Sequence, residues 1–406
     1  MTGPGLIKLS RIRSLLWHKA TLGRILLLLV LLMGGLVVPG CVQPRGQPRG
    51  WSGVAIADGV LFVGSMEGKL VSANIATRNR LWADVPFETS QPSGGFFGGC
   101  GAPSAVVAIY GTPAVSKDLV YIAGYDGRIR AISVSSGEVK WQYPPKGESN
   151  LQPIVGGVAV AQGKVFFGTS DGKVYAVDAV SRVEAWGEPF ETGDKIWSTP
   201  VIGGDTLYIG SFDKKLYALS IADSSKRWEF ETEGAIATTP LLYNNTIYFG
   251  SFDRHFYAVD ATNGRQIWKF PLREEGENNP ENWFWAKAVA HNNTIYAPCL
   301  DGKVYILDAR TGNTVTDAVD LQSPISSSPV LVNDSVVIAS EEGKVYTINT
   351  KTNQLTPLAE MEKEEIRAPL AASEGVVYVH TQKDETLYAL NVQSGVTLWK
   401  LTLSSK

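Results

Sequence analysis

The chain is poor in the side chains that most often hold metal ions or form covalent bonds. Its 406 residues include only four His and three Cys. The His residues are not grouped, so the sequence gives no support for a zinc site. Three Cys are too few for a fold that depends on several disulfides. One of them, Cys41, lies near the amino terminus, and we expect Cys100 and Cys299 to be separate thiols.

The chain also lacks the positive charge of a nucleic-acid-binding protein. Its formal net charge is −3, and the first 40 residues contain five of the 37 basic residues and no acidic residue. The remainder therefore has 32 basic against 40 acidic residues, a net charge of −8. A mildly acidic domain has no electrostatic attraction for phosphate backbones. We predict that nucleic acid is not a partner.

Residues 1–40 have the composition of a targeting segment. Basic residues precede an apolar run of 14 residues, Ile25–Val38, which is short for a membrane-spanning helix but suits a signal peptide. The run ends in Val38–Cys41, which resembles a bacterial lipoprotein processing box although Pro39 is unusual there. Residues 41–50 would then be a flexible Pro/Gly/Arg tether. We expect lipidation of Cys41 and an extracytoplasmic, membrane-anchored protein; the alternative is an uncleaved signal anchor.

A repeat of about 40 residues fills the rest of the chain. In its clearest copy, Thr239–Trp268, turns separate four short strands. Equivalent second-strand positions recur at spacings of 59, 45, 42, 40, 48, 41 and 41 residues. Such a period with four strands per unit is typical of a β-propeller blade. The sequence therefore predicts an all-β, eight-bladed β-propeller of four-stranded antiparallel blades over residues 51–406, whose ring closes by packing of complete blades.

A Trp recurs near the end of the fourth strand in six of the eight copies. We expect this large planar side chain to fill the gap between adjacent twisted sheets. The six residues are Trp82, Trp141, Trp186, Trp228, Trp268 and Trp399. Blades six and seven have Val315 and Leu355 at the equivalent place, so we expect less aromatic packing there.

The motif Tyr-Ala-x-Asp-x-x-x-Gly-x-x-x-Trp is complete in Tyr257–Trp268. It resembles the repeat of the pyrroloquinoline-quinone (PQQ) enzyme-like propellers, and the resemblance covers roughly residues 51–402. Trp-Asp repeat propellers share the period, but the chain contains no Trp-Asp dipeptide. The resemblance implies the propeller fold and two kinds of function. One is that of a quinoprotein dehydrogenase. The other is that of a non-enzymatic propeller such as the lipoprotein of the outer-membrane β-barrel assembly machinery, which the chain resembles in size and anchoring.

Three long insertions all fall in fourth-to-first-strand connections, at residues 83–110, 142–152 and 269–284. Because the strands of a meander alternate in direction, these connections emerge on one face of the propeller. The first insertion is Gly-rich and presents Phe96 and Phe97, and the third is acidic and then aromatic. Function commonly resides in such loops. We predict that protein partners bind this face; the alternative is that the insertions are loose connectors.

A second candidate site lies where the fourth-to-first connections reach the central channel. Aligned on the first strands, eight positions form a ring at its mouth: Trp51, Tyr110, Val155, Trp197, Ala237, Trp285, Ser326 and Ile366. Lys287 and Arg367 lie nearby in the sequence. Four aromatics and two cations could hold a flat anionic ligand. The alternative, which we favour, is that the aromatics cap the inner ends of the sheets.

The chemistry of a quinoprotein is not evident in the sequence. Such an enzyme needs calcium held by several oxygen ligands and a carboxylate base. Five Asp share one repeat position, which indicates turn chemistry: Asp126, Asp171, Asp213, Asp253 and Asp301. We therefore predict a non-catalytic, membrane-tethered binding scaffold without a confident cofactor. The alternatives are a PQQ- and calcium-dependent dehydrogenase of alcohols or sugars, and a carbohydrate-binding module that uses Trp197 and Trp285.

Overall fold

The strands predicted for the repeat form eight separate four-stranded antiparallel sheets. The structure is a computed structural model that describes residues 50–87, 106–272 and 279–404. Each sheet contains four consecutive strands in the order of the sequence. The prediction of an all-β propeller with eight four-stranded blades is confirmed. The predicted signal segment, Cys41 and most of the tether lie outside the described residues.

The first four blades occupy the amino-terminal half of the propeller. Their strands are β1 Val54–Ala57, β2 Val60–Gly64, β3 Lys69–Asn74, β4 Val85–Pro86, β5 Ala114–Ser116, β6 Leu119–Gly124, β7 Arg128–Ser133, β8 Val139–Tyr143, β9 Ala159–Ala161, β10 Lys164–Gly168, β11 Lys173–Asp178, β12 Phe190–Glu191, β13 Val201–Gly203, β14 Thr206–Gly210, β15 Lys215–Ser220 and β16 Lys226–Glu231.

The second four blades repeat the arrangement. Their strands are β17 Leu241–Tyr243, β18 Thr246–Gly250, β19 Phe256–Asp260, β20 Gln266–Phe270, β21 Val289–His291, β22 Thr294–Pro298, β23 Lys303–Asp308, β24 Val319–Asp320, β25 Val330–Val332, β26 Ser335–Ala339, β27 Lys344–Asn349, β28 Leu355–Glu360, β29 Ala371–Ser373, β30 Val376–His380, β31 Thr386–Asn391 and β32 Thr397–Thr402.

The second and third strands carry most of the core. Thr246–Gly250 is buried along its whole length, and Phe256–Asp260 is buried except at its last residue. Strands covered by a neighbouring blade on both faces read as continuous apolar runs instead of alternating ones. The core consists of eight hydrophobic clusters, and residues of consecutive blades meet in them. The propeller is therefore held together mainly between blades.

The repeated Trp lies at these blade interfaces, as predicted. Trp268 Nε1 donates a hydrogen bond of 3.0 Å to Ala309 O of the next blade. A Cβ added at Gly312 would lie 2.6 Å from the Trp268 ring, and Gly312 has φ +72°. The motif therefore needs Gly for two reasons, the left-handed backbone and the close approach of the preceding blade's Trp. Trp82 and Trp228 repeat the arrangement against Gly137 and Gly264.

The outer strands differ from the prediction in two respects. Trp141, Trp228 and Trp268 lie inside their strands and not at the ends. In blades one, three and six the fourth strand has only two residues and follows the Trp position. Isolated bridges, such as Ala73↔Arg80, stand where the full strand would have paired.

The interface between blades six and seven lacks the Trp, as predicted from the sequence. In blade six Val315 is 48% exposed, so this side chain does not fill the interface with blade seven. There Tyr296 OH donates to Asn353 Oδ1 of blade seven at 3.2 Å.

The ring closes between two complete blades, as predicted. β29 of blade eight lies beside β1 of blade one, and neither sheet contains a strand from the other. His380 Nδ1 donates a hydrogen bond of 2.9 Å to Ser52 O across this junction. Glu385 Oε1 accepts a hydrogen bond from Met66 N across the same junction. Apolar residues from both blades share one core cluster there. Side-chain contacts thus replace the exchanged strand.

Candidate functional site

A pocket of about 90 Å³ lies at one mouth of the central channel. Its lining comes from the residues just before the first strand of each blade, where the fourth-to-first connections arrive. All six predicted residues contribute to this one pocket: Trp51, Tyr110, Trp197, Trp285, Lys287 and Arg367. The same connections carry the three insertions, so the pocket opens on the insertion-bearing face.

The predicted position in blade eight was wrong by one residue. Ile366 is fully buried in the core, whereas Arg367 lines the pocket. The alignment relied on a Pro directly before the first strand, as Pro200 precedes β13. In blade eight Leu370 precedes β29, and Pro369 stands one residue earlier. Arg367 is therefore the eighth member of the ring.

The two cations of the pocket differ in their surroundings. Arg367 pairs with Glu341 at 3.3 Å and with Glu365 at 3.6 Å. No carboxylate among the residues that the structure describes lies within 4.0 Å of Lys287 Nζ. Burial lowers the pKa of Lys287 because the charged ammonium loses water. Lys287 is thus a partly desolvated cation in a pocket whose described lining residues include no carboxylate.

A chain of hydroxyl groups holds the inner ends of the blades together beneath the ring. Ser198 Oγ donates to Thr238 O at 2.9 Å, and Thr238 Oγ1 donates to Ala286 O at 3.2 Å. Ser52 and Ser327 make the equivalent bonds to the following blades, at 3.0 and 2.7 Å. Each bond fixes the residue next to a ring member to the neighbouring blade. The pocket is therefore built on a rigid frame.

Beside the pocket, five aromatic rings form a continuous row that we call the aromatic ridge. It consists of Trp197, Phe212, Phe252, Trp283 and Trp285. Phe252 stacks on Trp283 with ring centroids 4.5 Å apart and on Trp285 at 5.8 Å. Trp197 contacts Phe212 edge-to-face at 4.6 Å. Trp283 is 44% exposed, so the ridge presents aromatic surface to solvent.

The sequence reasoning missed three members of this ridge. Phe212 and Phe252 lie in second-to-third-strand turns of neighbouring blades, and Trp283 lies in the third insertion. The signal was the tandem Ser-Phe-Asp of Ser211–Asp213 and Ser251–Asp253, which places a Phe at one position in two adjacent blades. Lys195 Nζ lies 4.5 Å from the centre of the Phe212 ring and 5.3 Å from that of Trp197, which adds a cation–π contact.

The repeated Asp residues hold turns and connections together. Asp253 Oδ1 accepts from His255 N at 2.9 Å, and Asp253 Oδ2 accepts from Tyr257 OH at 2.7 Å and from Glu233 N at 3.0 Å. Asp213 and Asp301 make the matching three contacts in their own blades. Because Glu233 belongs to the preceding connection, each Asp fastens the incoming connection to the turn. These contacts agree with the interpretation, made from the sequence, that the repeated Asp residues stabilise turns.

The second insertion is ordered by a buried Arg. Arg128 is 9% exposed and donates to Pro144 O at 2.8 Å, Pro145 O at 3.1 Å and Glu148 O at 2.9 Å. A guanidinium has five donors in a fixed fork, which suits several carbonyls of one loop. Phe96, Phe97 and Cys100 of the first insertion and residues 273–278 of the third lie outside the described residues.

Among the described residues that line the pocket there is no Cys, His or carboxylate. In the described ranges no three His, Cys, Asp or Glu side chains converge to hold a metal ion. Cys299 is a buried free thiol whose Sγ contacts Asn282 O at 3.3 Å, and burial raises its pKa. A Gly-x-Ser-x-Gly sequence, Gly168–Gly172, joins β10 to β11 and not a strand to a helix. The arrangement is suited to binding.

The comparisons with known proteins agree with the repeat. A family model described as outer membrane protein assembly factor BamB matches residues 14–199 and 171–401. A protein of that name from Marinobacter adhaerens is 28% identical over 124 residues, which is 30% of this chain and 29% of the relative. A quinohemoprotein alcohol dehydrogenase from Comamonas testosteroni is 25% identical over 174 residues, 43% of this chain and 23% of the relative. The chain thus aligns with less than a third of the length of either protein.

A solved structure extends the likeness to the fold. The crystal structure of BamB from Moraxella catarrhalis superposes with a TM-score of 0.59 at 20% sequence identity, over 73% of this chain and 91% of that chain. At this identity the likeness concerns the fold alone. No helix in the described ranges is long and apolar enough to span a membrane.

Proposed function

The chain belongs to the family of the outer membrane protein assembly factor BamB, and on that premise we propose that it is a non-catalytic scaffold for protein partners. It would act outside the cytoplasm, tethered to a membrane, and would bind partners on the face that carries insertions 83–110, 142–152 and 269–284. The name of these relatives concerns assembly of outer membrane proteins, and we extend that role to this chain.

The aromatic ridge is the observation that supports this proposal most directly. Aromatic residues are enriched in the energetically dominant parts of protein interfaces. The ridge joins turns of blades four and five to the third insertion, so it forms one surface on the elaborated face. Exposed apolar residues elsewhere, such as Ile267 and Leu398, lie singly on the outer strands, where isolated exposure needs no explanation.

Site-specific cross-linking in the membrane tests the proposed face. A photo-activatable residue at Trp283 is expected to cross-link to a subunit of the outer-membrane assembly machinery. The matched control places the same residue at Leu398, which is 42% exposed against 44% for Trp283. In addition, Phe252→Ala should weaken the complex at least about tenfold if the ridge contains a binding hot spot, with the melting temperature recorded for each variant. Equal cross-linking from both sites would contradict the proposal.

The tether is proposed to begin at a lipid-bearing Cys41. Changing Cys41 to Ala should abolish incorporation of labelled palmitate and release the protein from the membrane fraction. A variant that is still labelled would show that the anchor lies elsewhere. A variant that loses the label but stays in the membrane would favour an uncleaved signal anchor.

A quinone-dependent dehydrogenase remains the second candidate, supported by the similarity to the Comamonas testosteroni enzyme. The residues present fit pyrroloquinoline quinone poorly. The pocket of about 90 Å³ is smaller than the roughly 300–1,000 Å³ of ordinary ligand sites. Calcium prefers six to eight oxygen ligands including carboxylates, and no carboxylate occurs among the pocket residues that the structure describes. If the cofactor bound, Trp197 and Trp285 would be its stacking partners and Lys287 its cationic contact.

Titration of the protein with pyrroloquinoline quinone, with and without Ca²⁺, separates the two candidates. The scaffold proposal expects no saturable quenching of Trp fluorescence. Saturable, Ca²⁺-dependent quenching that disappears in Trp197→Ala would favour the enzyme instead. A carbohydrate module is less favoured, because Phe252 stacks on Trp285 and Phe212 packs against Trp197; a glycan array would test it.

A further inference from the structure

The pocket contains two hydrogen-bond donors that the described part of the chain leaves without acceptors. One is Lys287 Nζ, which has no carboxylate within ion-pair distance. The other is the hydroxyl of Ser326 on the next blade, whose Oγ is buried and has no hydrogen-bond partner. Both residues line the same pocket. Buried polar groups in proteins are almost always satisfied, so the Ser326 hydroxyl indicates a missing partner. Lys287 is only partly buried, and its ammonium would attract an anionic partner to the same pocket.

No described residue of the lining accepts a hydrogen bond from either donor. Ser328 Oγ already accepts from Lys287 N at 3.1 Å, and Thr199 Oγ1 accepts from Gly157 N at 2.8 Å. Arg367 is occupied by Glu341 and Glu365. The pocket therefore has one uncompensated positive charge, which would match a monovalent anion better than a divalent one.

The size of the pocket limits the ligand further. A cavity of roughly 150 Å³ admits benzene, so a pocket of about 90 Å³ suits a smaller ligand. We propose that the channel mouth binds a small monocarboxylate of about the size of acetate. One carboxylate oxygen would accept from Lys287 Nζ. The other would accept from Ser326 Oγ once that hydroxyl, which is buried in the present rotamer, turns towards the pocket, and the alkyl end would face Trp197 and Trp285. The inference does not depend on the scaffold proposal.

Thermal unfolding of the full chain in detergent, followed by Trp fluorescence, tests this assignment. Sodium acetate should raise the melting temperature in a saturable manner, because a ligand that binds the folded state stabilises it. Sodium chloride at the same ionic strength should not. In Lys287→Met the acetate affinity should fall at least about tenfold, since the charge-assisted bond is lost. Ser326→Ala should bind acetate more weakly than the parent protein.

A matched control and a second readout keep the result unambiguous. Lys195→Met removes a cation on the same face but outside the pocket, and it should keep the acetate response. Without acetate, Lys287→Met should melt above the parent protein, because an unpaired desolvated charge has been removed. An acetate response that persists in Lys287→Met would overturn the proposal. So would chloride acting as well as acetate, or phosphate binding more tightly than acetate.

Discussion

At the scale of single residues, the carboxylate of Asp253 connects three neighbouring parts of the propeller. Its side chain is 5% exposed. Burial acts to raise the pKa of Asp253, but hydrogen bonds from His255, Tyr257 and Glu233 lower it to about 2. These donors come from the turn itself, from the following strand and from the preceding connection. The same carboxylate thus determines where the connection to blade five begins.

Replacing Asp253 by Ala should therefore destabilise the fold by about 2–4 kcal/mol, because several buried donors lose their acceptor. The folded pKa of about 2 lies below the ordinary value of 3.8. The contribution of Asp253 is therefore complete above pH about 4 and is lost as the pH falls towards 2. Denaturant unfolding of both proteins at pH 7 and pH 3 measures the difference. The control is Asp205→Ala, because Asp205 lies exposed in a turn; a loss as large as that of Asp253→Ala would refute the argument.

At the scale of the blade, the interface depends on one Trp and on the Gly that receives it. Trp268 is 5% exposed and contacts Tyr248 and Phe256 in its own sheet. Tyr248 OH donates to Ala309 O at 2.9 Å, the same carbonyl that Trp268 Nε1 uses. The blades are therefore joined by aromatic packing and by two donors on one acceptor of the next blade.

Trp268→Ala should cost about 3–5 kcal/mol of stability, because it opens a cavity between blades five and six. Trp268→Phe should cost less, since part of the packing remains and Ala309 O keeps its bond from Tyr248. Gly312→Ala should also destabilise the fold, because Ala is strained at φ +72° and its methyl group would collide with Trp268. The neighbouring Ile267→Ala, 47% exposed, serves as the control and should change stability by less than about 1 kcal/mol. Chemical unfolding of the four variants measures their free energies of unfolding and ranks them.

The blade pattern explains why the fold could be predicted from the sequence and why parts of the site could not. The Tyr, Asp, Gly and Trp of Tyr257–Trp268 each make a local or next-blade contact that recurs, so their spacing is visible in one chain. The ring at the channel mouth was predictable for the same reason. The alignment failed in blade eight because Pro369 stands one residue early. The ridge was missed because Phe252 and Trp283 meet through the ring geometry and not through any fixed spacing.

At the scale of the whole molecule, the junction of blades eight and one differs from the other interfaces. In several blades the second strand ends in Gly, and a large residue of the next blade packs against it, as Ile196 does at Gly168 and Phe284 at Gly250. At the closing junction the large and the small residue change places. The second strand of blade eight ends in His380, and Gly50, directly before the ring member Trp51, stands where other blades have Ile or Phe. Closure of the ring thus relies on a titratable side chain.

Acid should loosen this junction through His380. Burial lowers the pKa of His380 from its ordinary value of 6.5, so the folded state keeps the imidazole neutral while the unfolded state takes up a proton. The contribution of neutral His380 to the free energy of unfolding is fully present above pH 6.5 and declines as the pH falls below that value. The loss therefore grows as the pH falls from 6.5 towards the lower pKa of the folded state, and the melting temperature should fall with it.

The measurement compares the melting temperatures of the parent protein and of His380→Asn at pH 8 and pH 5.5. Asn can still donate to Ser52 O but does not titrate, so the melting temperature of the variant should fall by fewer degrees than that of the parent on acidification. Other titratable groups contribute equally to both proteins and cancel in this difference. Burial raises the pKa of Glu385, which lies at the same junction. The contribution of Glu385 to stability therefore has the opposite pH dependence: it is fully present below pH 4.5 and declines as the pH rises above that value. If both proteins lose the same number of degrees, His380 does not control the pH dependence of ring closure.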